Sequence, residues 1–402
     1  MSQPAPAPDR LLTRPFVLAS LANLLQGMSF FAFVHLPRRL EELGADEVKI
    51  GLLMAAAAMA SLLVRPAVGR QMDRKGRRLL ILVGGALNLA VVPLYLTVGA
   101  LDAWLVAIRV LHGVAWAITF TALATYGADQ VPEARRTQGL ALFGASSLVP
   151  MAVGGWVGDV TLAAGGFSAL FLASAGFAAA ALGISFGLTE RRLALAVAPR
   201  GGGFRRALAH PQLLPLWFLA FNLALVLTGY FTFMRTFVDA TGVGSLSAFF
   251  AAYAGMAVLT RTVGGSLPDR VGRRRVFYPA LGAIALGFLA VALAASNRAM
   301  VAAGVLSGAG LGYAFPILFS LVVERASIEE RGSAMAAFTA VFDAGTLAGS
   351  PTLGWVIHQF GYGAMFAAAA GWMAVAALVF AFWDTGGARG RDPLAAEQPA
   401  VP

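Results

Sequence analysis

Long apolar runs alternate with short polar and charged stretches from residue 16 to residue 383. A helix needs about 20 mainly apolar residues to cross the roughly 30 Å of hydrocarbon in a bilayer. Twelve runs have about this length, at residues 16–36, 48–68, 79–99, 103–126, 137–158, 167–188, 213–234, 245–264, 276–296, 299–323, 332–357 and 361–383. The pattern therefore predicts an all-α membrane protein with twelve transmembrane helices.

The composition supports this interpretation and excludes others. Apolar residues make up 58% of the chain and charged residues 12%, whereas soluble proteins average about 45–50% and about 25%. A soluble enzyme, a nucleic-acid-binding protein and a disordered scaffold are therefore excluded. The net charge of +10 lies in short clusters without a continuous basic face, so the lipid bilayer is the expected partner. The chain has no cysteine, and we expect neither a cofactor nor a metal ion.

The basic residues predict the orientation, because cytoplasmic loops of membrane proteins carry an excess of Lys and Arg. With the N-terminus inside, 22 of the 30 Lys and Arg residues fall on the cytoplasmic side and five on the other. Both ends are thus predicted to be cytoplasmic. The longest hydrophilic interior stretch, 189–212, contains three consecutive glycines and divides the runs into six and six. The predicted organisation is a disordered N-terminus (1–15), a six-helix bundle (16–188), a linker (189–212), a second six-helix bundle (213–383) and a disordered tail (384–402).

Two of the predicted cytoplasmic loops repeat one another. The first has Gly69, Asp73, Arg74, Gly76 and Arg77, and the second has the same residue types 196 positions later, at Gly265, Asp269, Arg270, Gly272 and Arg273. Arg65 and Arg261, four residues before each leading glycine, share this offset, and Arg136 and Arg331 form a weaker pair 195 residues apart. The halves are therefore expected to be parallel repeats, related by an axis along the membrane normal.

The pattern Gly-x-x-x-Asp-Arg-x-Gly-Arg-Arg resembles the signature loop of the major facilitator superfamily. Arg109-Val-Leu-His112-Gly113 is similar to a span 4 motif of its drug/proton antiporters and arabinose-efflux-type exporters, with His in place of Gln. The span 5 motif departs from the antiporter pattern, with Val149 for its first glycine and one extra residue before Gly154. The resemblance implies a monomeric transporter with two pseudo-symmetric six-helix bundles and a central small-molecule site, working by alternating access.

The resemblance also implies that the signature loops are gates. In the family, the Asp of the first loop lies near the start of span 11, where a helix N-terminus favours a carboxylate by about 0.3–1 kcal/mol. This implies that Asp73→Asn lowers transport without lowering the amount of folded protein.

Asp343 is the only acid deep within a predicted span. It lies about 16 Å along span 11 at 1.5 Å per residue, where an ionised carboxylate costs about 2.5–3.5 kcal/mol. Two interpretations remain open. Asp343 carries the coupled proton, or it forms a structural ion pair that holds span 11 to span 2, with Arg65 as the candidate partner.

Span 4 offers a second group of candidates. Arg109, His112, Trp116 and Thr119 recur at helical spacing and share one face, and the resemblance implies that span 4 lines the central cavity. Arg109 and His112 are therefore further proton-coupling candidates, although a lone His in a span also links helices by hydrogen bonds. The other cavity candidates, each with helix packing as its alternative, are Asn23, Gln26, Phe30, Asn222, Tyr230, Arg235, Tyr313 and Phe315.

These observations predict a transporter of the bacterial inner membrane, not an enzyme, that couples efflux of a drug-like compound or metabolite to proton entry. The alternative within this class is a proton-coupled importer or an uncoupled facilitator of a sugar or other metabolite. A membrane receptor or lipid-handling enzyme is the alternative outside it, but the sequence shows neither an extramembrane domain nor a catalytic constellation.

Overall fold

A computed structural model describes residues 11–132, 136–190, 203–265, 267–326 and 331–384. Residues 1–10 and 385–402 of the predicted ends and residues 191–202 of the predicted linker lie outside these ranges, and so do the side chains of Asp73, Arg74 and Asp269. The helices are α1 (Arg14–Phe31), α2 (Leu36–Glu42), α3 (Glu47–Lys75), α4 (Arg77–Val91), α5 (Ala103–Asp129), α6 (Arg136–Ser185), α7 (Gly203–Ala209), α8 (Leu214–Thr241), α9 (Leu246–Thr262), α10 (Leu267–Val271), α11 (Arg273–Ala292), α12 (Asn297–Arg325) and α13 (Arg331–Trp383). Short 3₁₀ segments, Ala32–His35 and Val92–Thr97, follow α1 and α4.

Polar side chains begin several of the long helices. Asp46 Oδ1 accepts a hydrogen bond of 2.7 Å from the backbone N–H of Lys49 at the start of α3, and this bond lowers the pKa of Asp46. Asp102 caps α5 in the same way, through the N–H of Leu105 at 3.1 Å. Such caps satisfy N–H groups that the first turn of a helix leaves without a partner.

Glycines interrupt the two longest helices. α6 has 50 residues and breaks at Gly165 and Gly166, whose φ is +63°. α13 has 53 residues and breaks at Gly361, whose φ is +82°. A continuous helix of either length would extend about 75 Å or more, over twice the hydrocarbon thickness. Glycine adopts positive φ without a Cβ clash, so each long helix can divide there into two shorter segments.

The described part of the chain is all-helical and forms a multi-pass membrane protein. Nine of its helical stretches are long and apolar enough to cross a bilayer, with the broken helices α6 and α13 each counted once. α9 has 17 residues and is one residue short of the length that the count requires. Each predicted apolar run overlaps a helical stretch, and the largest differences are at the ends of α3 and α8, which extend seven residues past the predicted runs.

The helices pack mainly within two groups. Before residue 190, α1 packs on α6 and α5 packs on α3 and α4; after residue 203, α8 packs on α13 and α12 packs on α9 and α11. We call these groups the N-half and the C-half. The halves meet mainly where α3 contacts α13 and where α6 contacts α9. We call the end of the molecule with the two repeated loops the loop side, and the opposite end the far side.

Candidate functional site

A buried ion pair joins the two halves where α3 meets α13. Arg65 Nε and Nη2 donate to the two carboxylate oxygens of Asp343, the second at 3.1 Å. Ser61 Oγ also donates to Asp343 at 3.2 Å, and Arg65 Nη1 donates to Thr121 Oγ1 at 3.0 Å. Only 8% of the Arg65 side chain and 15% of that of Asp343 are exposed. The expected partner of Asp343 is therefore in contact with it, while a proton-carrying role for Asp343 stays a prediction.

The first repeated loop is held by two acids. Glu190 accepts from the backbone N–H groups of Arg77 at 3.2 Å and Arg78 at 2.8 Å, so its carboxylate caps α4. Gly76 has φ of +85°, and a methyl group there would clash with that carboxylate. Arg77 Nε donates to Asp129 at 3.1 Å, at the end of α5. The loop thus requires Gly76, whereas a methyl group added at Gly69 would meet no atom within 4 Å.

The second loop repeats this arrangement in the C-half. Gly272 has φ of +96°, and Arg273 Nη1 lies 2.5 Å from Glu324 at the end of α12. Arg274 and Arg325 both pair with Asp384. Glu324 follows Asp129 by 195 residues, so the repeat extends to the acids that anchor the loops. Neither acid was among the residues singled out from the sequence.

Arg109 and His112 lie together inside the N-half, as their helical spacing predicts. Arg109 is 5% exposed and donates to the backbone carbonyls of Leu53 at 3.1 Å and Met54 at 3.4 Å. Its Nη1 also lies 3.4 Å from the Tyr95 hydroxyl, which is 3.1 Å from His112 Nδ1. Within the described residues Arg109 has no carboxylate partner. Carbonyl and phenol oxygens hold this cation.

Aromatic and polar candidates of the N-half meet between α1, α5 and α6. Phe30 stacks on Trp116 with ring centroids 3.8 Å apart, and Trp116 stacks on Phe120 at 4.8 Å. Asn23 Nδ2 donates to the hydroxyls of Ser146 and Ser147, each at 2.8 Å. Gln26 is buried nearby along α1, and its Oε1 has no hydrogen-bond partner among the described residues.

The C-half candidates are divided between packing and the interface. Tyr230 is fully buried; its ring stacks on Phe288 at 4.0 Å and its hydroxyl is 2.8 Å from Ser307 Oγ. Asn222 accepts from Trp372 Nε1 at 2.7 Å. In the structure Tyr230 and Asn222 thus contact other residues of the C-half, and bulky aromatic neighbours enclose the Tyr230 ring. That these two residues line a substrate cavity stays a prediction.

Phe315 and Tyr313 lie close to the contacts between the halves. Phe315 packs edge-on against Phe342, the neighbour of Asp343, with centroids 5.8 Å apart. The Tyr313 hydroxyl contacts Gly264, one turn beyond Arg261. Arg261 itself projects from α9 toward α6, and its Nε has no hydrogen-bond partner among the described residues.

A second ionic cluster joins the halves on the far side. Arg235 of α8 lies 2.8 Å from Asp159 of α6 and 2.9 Å from Asp239. Arg38 lies 3.8 Å from Asp239, which adds a second link between the halves, and His35 Nδ1 lies 4.0 Å from Asp159. Of these residues, the sequence pointed only to Arg235. The acids lie near helix ends, where the position of a residue along the predicted span does not distinguish a gate residue from an ordinary loop residue.

The chain thus has two repeated helical halves that contain long apolar helices and are joined by ion pairs, an arrangement typical of membrane transporters built from internal repeats. A sequence model of the Major Facilitator Superfamily matches residues 16–293 and 243–402. The chain therefore belongs to the major facilitator superfamily, whose members are transporters of small molecules and not enzymes.

Similar proteins agree with this assignment. YhhS of Escherichia coli K12, an uncharacterized transporter of the same type, is 26% identical over 343 residues, covering 82% of both chains. An uncharacterized transporter of this type from Pseudomonas aeruginosa PAO1 is 26% identical over 339 residues, covering 81% of this chain and 82% of its own. The structures of the human organic anion transporter MFSD10 (18% identity) and the nucleoside transporter NupG (15% identity) each superpose with a TM-score of 0.73, over 93% of this chain and 100% of theirs. These two likenesses show a shared fold.

Proposed function

We propose that this protein is a proton-coupled secondary transporter that exports a small molecule by alternating access. The nine stretches become twelve crossings of the membrane if α6 and α13, each divided at its glycine break, cross twice and α9 crosses once. The two bundles, 16–188 and 213–383, then rock about a central site, joined by the linker 189–212. The bacterial relatives support a location in the bacterial inner membrane, with both ends cytoplasmic according to the distribution of basic residues. We propose that it acts as a monomer.

The main support for proton coupling is the Arg65–Asp343 pair. Each partner belongs to a different half, and both side chains are largely withdrawn from water. A proton on Asp343 would cancel its charge and leave the Arg65 guanidinium hydrogen-bonded to a neutral carboxyl group, so the contact between α3 and α13 would weaken. Loss of the proton would restore the pair. A carboxylate at this depth is by default a functional candidate, and here its charge also determines how strongly the halves are joined.

The ionic links on the two sides suggest how the cycle is gated. Arg65–Asp343 lies about 15–18 Å from the loop-side ends of α3 and α13 at 1.5 Å per residue, and Asp159–Arg235 lies on the far side. Alternating access requires that one set of links opens while the other stays closed. In this proposal the signature loops, including Asp73 and Asp269, stabilise the loop-side closure. Arg109 with His112 is the alternative proton pathway.

The experiment uses inside-out vesicles whose lumen is acidified and reported by a pH-sensitive dye. Lipophilic cations, sugars, amino acids, metal chelators and aromatic carboxylates are added in turn to wild type and Asp343→Asn. We expect one class to dequench the dye in wild type only. Equal dequenching in both proteins would overturn coupling at Asp343 and move it to Arg109 and His112. No dequenching by any class would overturn proton-coupled efflux and favour an importer or uncoupled facilitator.

A further inference from the structure

The two interfaces between the halves are copies of one another. Gly51 of α3 packs against the backbone of Ser350 in α13, and the repeat-related residues, Ser247 of α9 and Gly155 of α6, also pack together. Ser247 follows Gly51 by 196 residues, and Ser350 follows Gly155 by 195. These are the offsets that relate the loop anchors described above. A residue at the α3–α13 interface thus has an identifiable counterpart at the α6–α9 interface.

The buried ion pair at the α3–α13 interface has no counterpart at the α6–α9 interface. The counterparts of Arg65 and Asp343 are Arg261 on α9 and Leu148 on α6. Arg261 is therefore a guanidinium at a repeat-related position where the matching carboxylate is missing. Its neighbour on α6, Gly144, supplies no charge. Among the described residues no carboxylate lies within ion-pair distance of Arg261, and its buried Nε makes no hydrogen bond.

The other cations within the spans are satisfied by the protein. Arg65 has Asp343 and Thr121 as acceptors, and Arg109 has two backbone carbonyls and a phenol oxygen. A buried polar group without a partner is unfavourable, and a buried charge more so. The planar guanidinium fork matches a carboxylate with two parallel hydrogen bonds. Arg261 thus retains donors for a carboxylate that the described part of the chain does not provide.

Space for such a group lies beside Gly144. A methyl group added at Gly144 would have a single neighbour within 4 Å, Arg261 Nη1 at 3.9 Å. The Ser147 hydroxyl, already bonded to Asn23, is on the next turn of α6. Partly buried aromatic rings occur in both halves: Trp116 stacks on Phe120 in the N-half, and Phe315 packs against Phe342, the neighbour of Asp343, in the C-half. Such rings are the apolar surface that the body of the proposed substrate would contact.

We propose that Arg261 binds the carboxylate of the transported substrate, which is an organic anion with an apolar, aromatic body. The inference rests on the proposed transport function and gives its substrate class. The substrate carboxylate would occupy, at the α6–α9 interface, the position that Asp343 occupies at the α3–α13 interface. Binding would then join the two halves through an ion pair completed by the cargo.

The test supplies the missing carboxylate from the protein itself. An Asp at position 144 would reach Arg261 and complete the pair, whereas Asn there has the same size without the charge. Full-length wild type, Gly144→Asp, Gly144→Asn and Arg261→Gln are purified in detergent. Binding of benzoate and 2-naphthoate is measured by thermal shift and by tryptophan fluorescence, with benzamide and 2-naphthamide as uncharged probes.

We expect 2-naphthoate to bind wild type at least about tenfold more tightly than it binds Gly144→Asp or Arg261→Gln, as loss of a charge-assisted pair requires. The amides should bind wild type and Arg261→Gln equally weakly. In the absence of any probe, Gly144→Asp should melt above Gly144→Asn, which shows that the variant folds and forms the pair. Equal binding of acids and amides, no binding of either acid to wild type, or undiminished binding to Gly144→Asp would each overturn the proposal.

Failure here is distinguishable from failure of the proposed transport function. If another compound class releases protons from wild-type vesicles but not from Asp343→Asn vesicles, proton-coupled transport stands and the anion site is wrong. If naphthoate binds as expected but moves no protons, the anion site stands and the coupling is wrong.

Discussion

Removing either partner of the Arg65–Asp343 pair should shift the protein toward states that are open on the loop side. We consider Asp343→Asn, Arg65→Gln and the double variant. Asp343→Asn keeps the size of the side chain and removes its charge, as a bound proton would. Arg65→Gln leaves the carboxylate buried among Ser61 and neutral neighbours.

The size of the effect follows from burial. Breaking a buried ion pair by removing one partner costs about 3–5 kcal/mol, because the remaining charge is left uncompensated. The lower end applies here, since Asp343 is 15% exposed and Arg65 keeps Thr121 as an acceptor. About 3 kcal/mol changes the ratio of closed to open states roughly a hundredfold. The double variant removes both charges, so its effect should be smaller than the sum of the two single effects by about 1–3 kcal/mol.

The absence of cysteine in the sequence makes the assay direct. Spin labels on Lys75→Cys and Val271→Cys, both exposed on the loop side, report the separation of the halves there. A second labelled pair, Ala100→Cys and Ala295→Cys, reports the far side. We expect longer Lys75–Val271 distances in each single variant, with the Ala100–Ala295 distances unchanged or shorter.

A matched control is Glu42→Gln. Glu42 also pairs with arginines, at 3.3–3.6 Å, but its side chain is 42% exposed and its partners lie within the same half. Exposed pairs contribute about 0–1 kcal/mol, so this variant should leave both distances unchanged. Unaltered Lys75–Val271 distances in Asp343→Asn and Arg65→Gln, or strictly additive effects in the double variant, would refute the assignment of this pair as a link between the halves.

Two further predictions concern the far side and the helix packing. Arg235→Gln removes the ion pair with Asp159, in which the two side chains are 11% and 34% exposed. Because of this partial exposure, the ratio of closed to open states on the far side should change by at most about 1 kcal/mol, or roughly fivefold. The Ala100–Ala295 distances should lengthen, and an unchanged distance distribution would argue against a gate. Gly113→Val should destabilise the N-half by about 1–3 kcal/mol through overpacking, because a Cβ there would lie 2.8 Å from the Ala57 backbone. The control is Gly176→Val, where an added Cβ meets nothing within 4 Å. Thermal unfolding compares the two variants, and equal melting temperatures would contradict the prediction.

The positions of the helices could be predicted from the sequence because the lipid solvent imposes a simple rule. Every backbone polar group in hydrocarbon must be bonded within its own segment, so apolar runs of sufficient length are helices whatever their neighbours. The repeat of Arg65 and the signature loop at Arg261 was visible for a similar reason, since equal spacing along two copies needs no knowledge of packing.

The partners of these residues depended on the tertiary structure. The sequence offered Arg65 only as a candidate partner of Asp343, and the structure brings the two together across 278 residues. Asp159 meets Arg235 near helix ends, where the position of a residue along a span does not indicate its partner. Tyr230 illustrates the same limit, because a polar aromatic in a span looks the same from sequence whether it faces a cavity or packs against Phe288.

The sequence alone therefore determined the solvent, the helices, the internal repeat and the family, all of which depend on local composition and spacing. Only the tertiary structure decided which charges are satisfied. It paired Arg65 with Asp343, whereas the repeat-related Arg261 has no carboxylate partner among the described residues. The physical reason is that the interaction energy of a charge within a span depends on the groups within a few ångströms of it. Those groups are brought there by the packing of helices that are distant in the sequence.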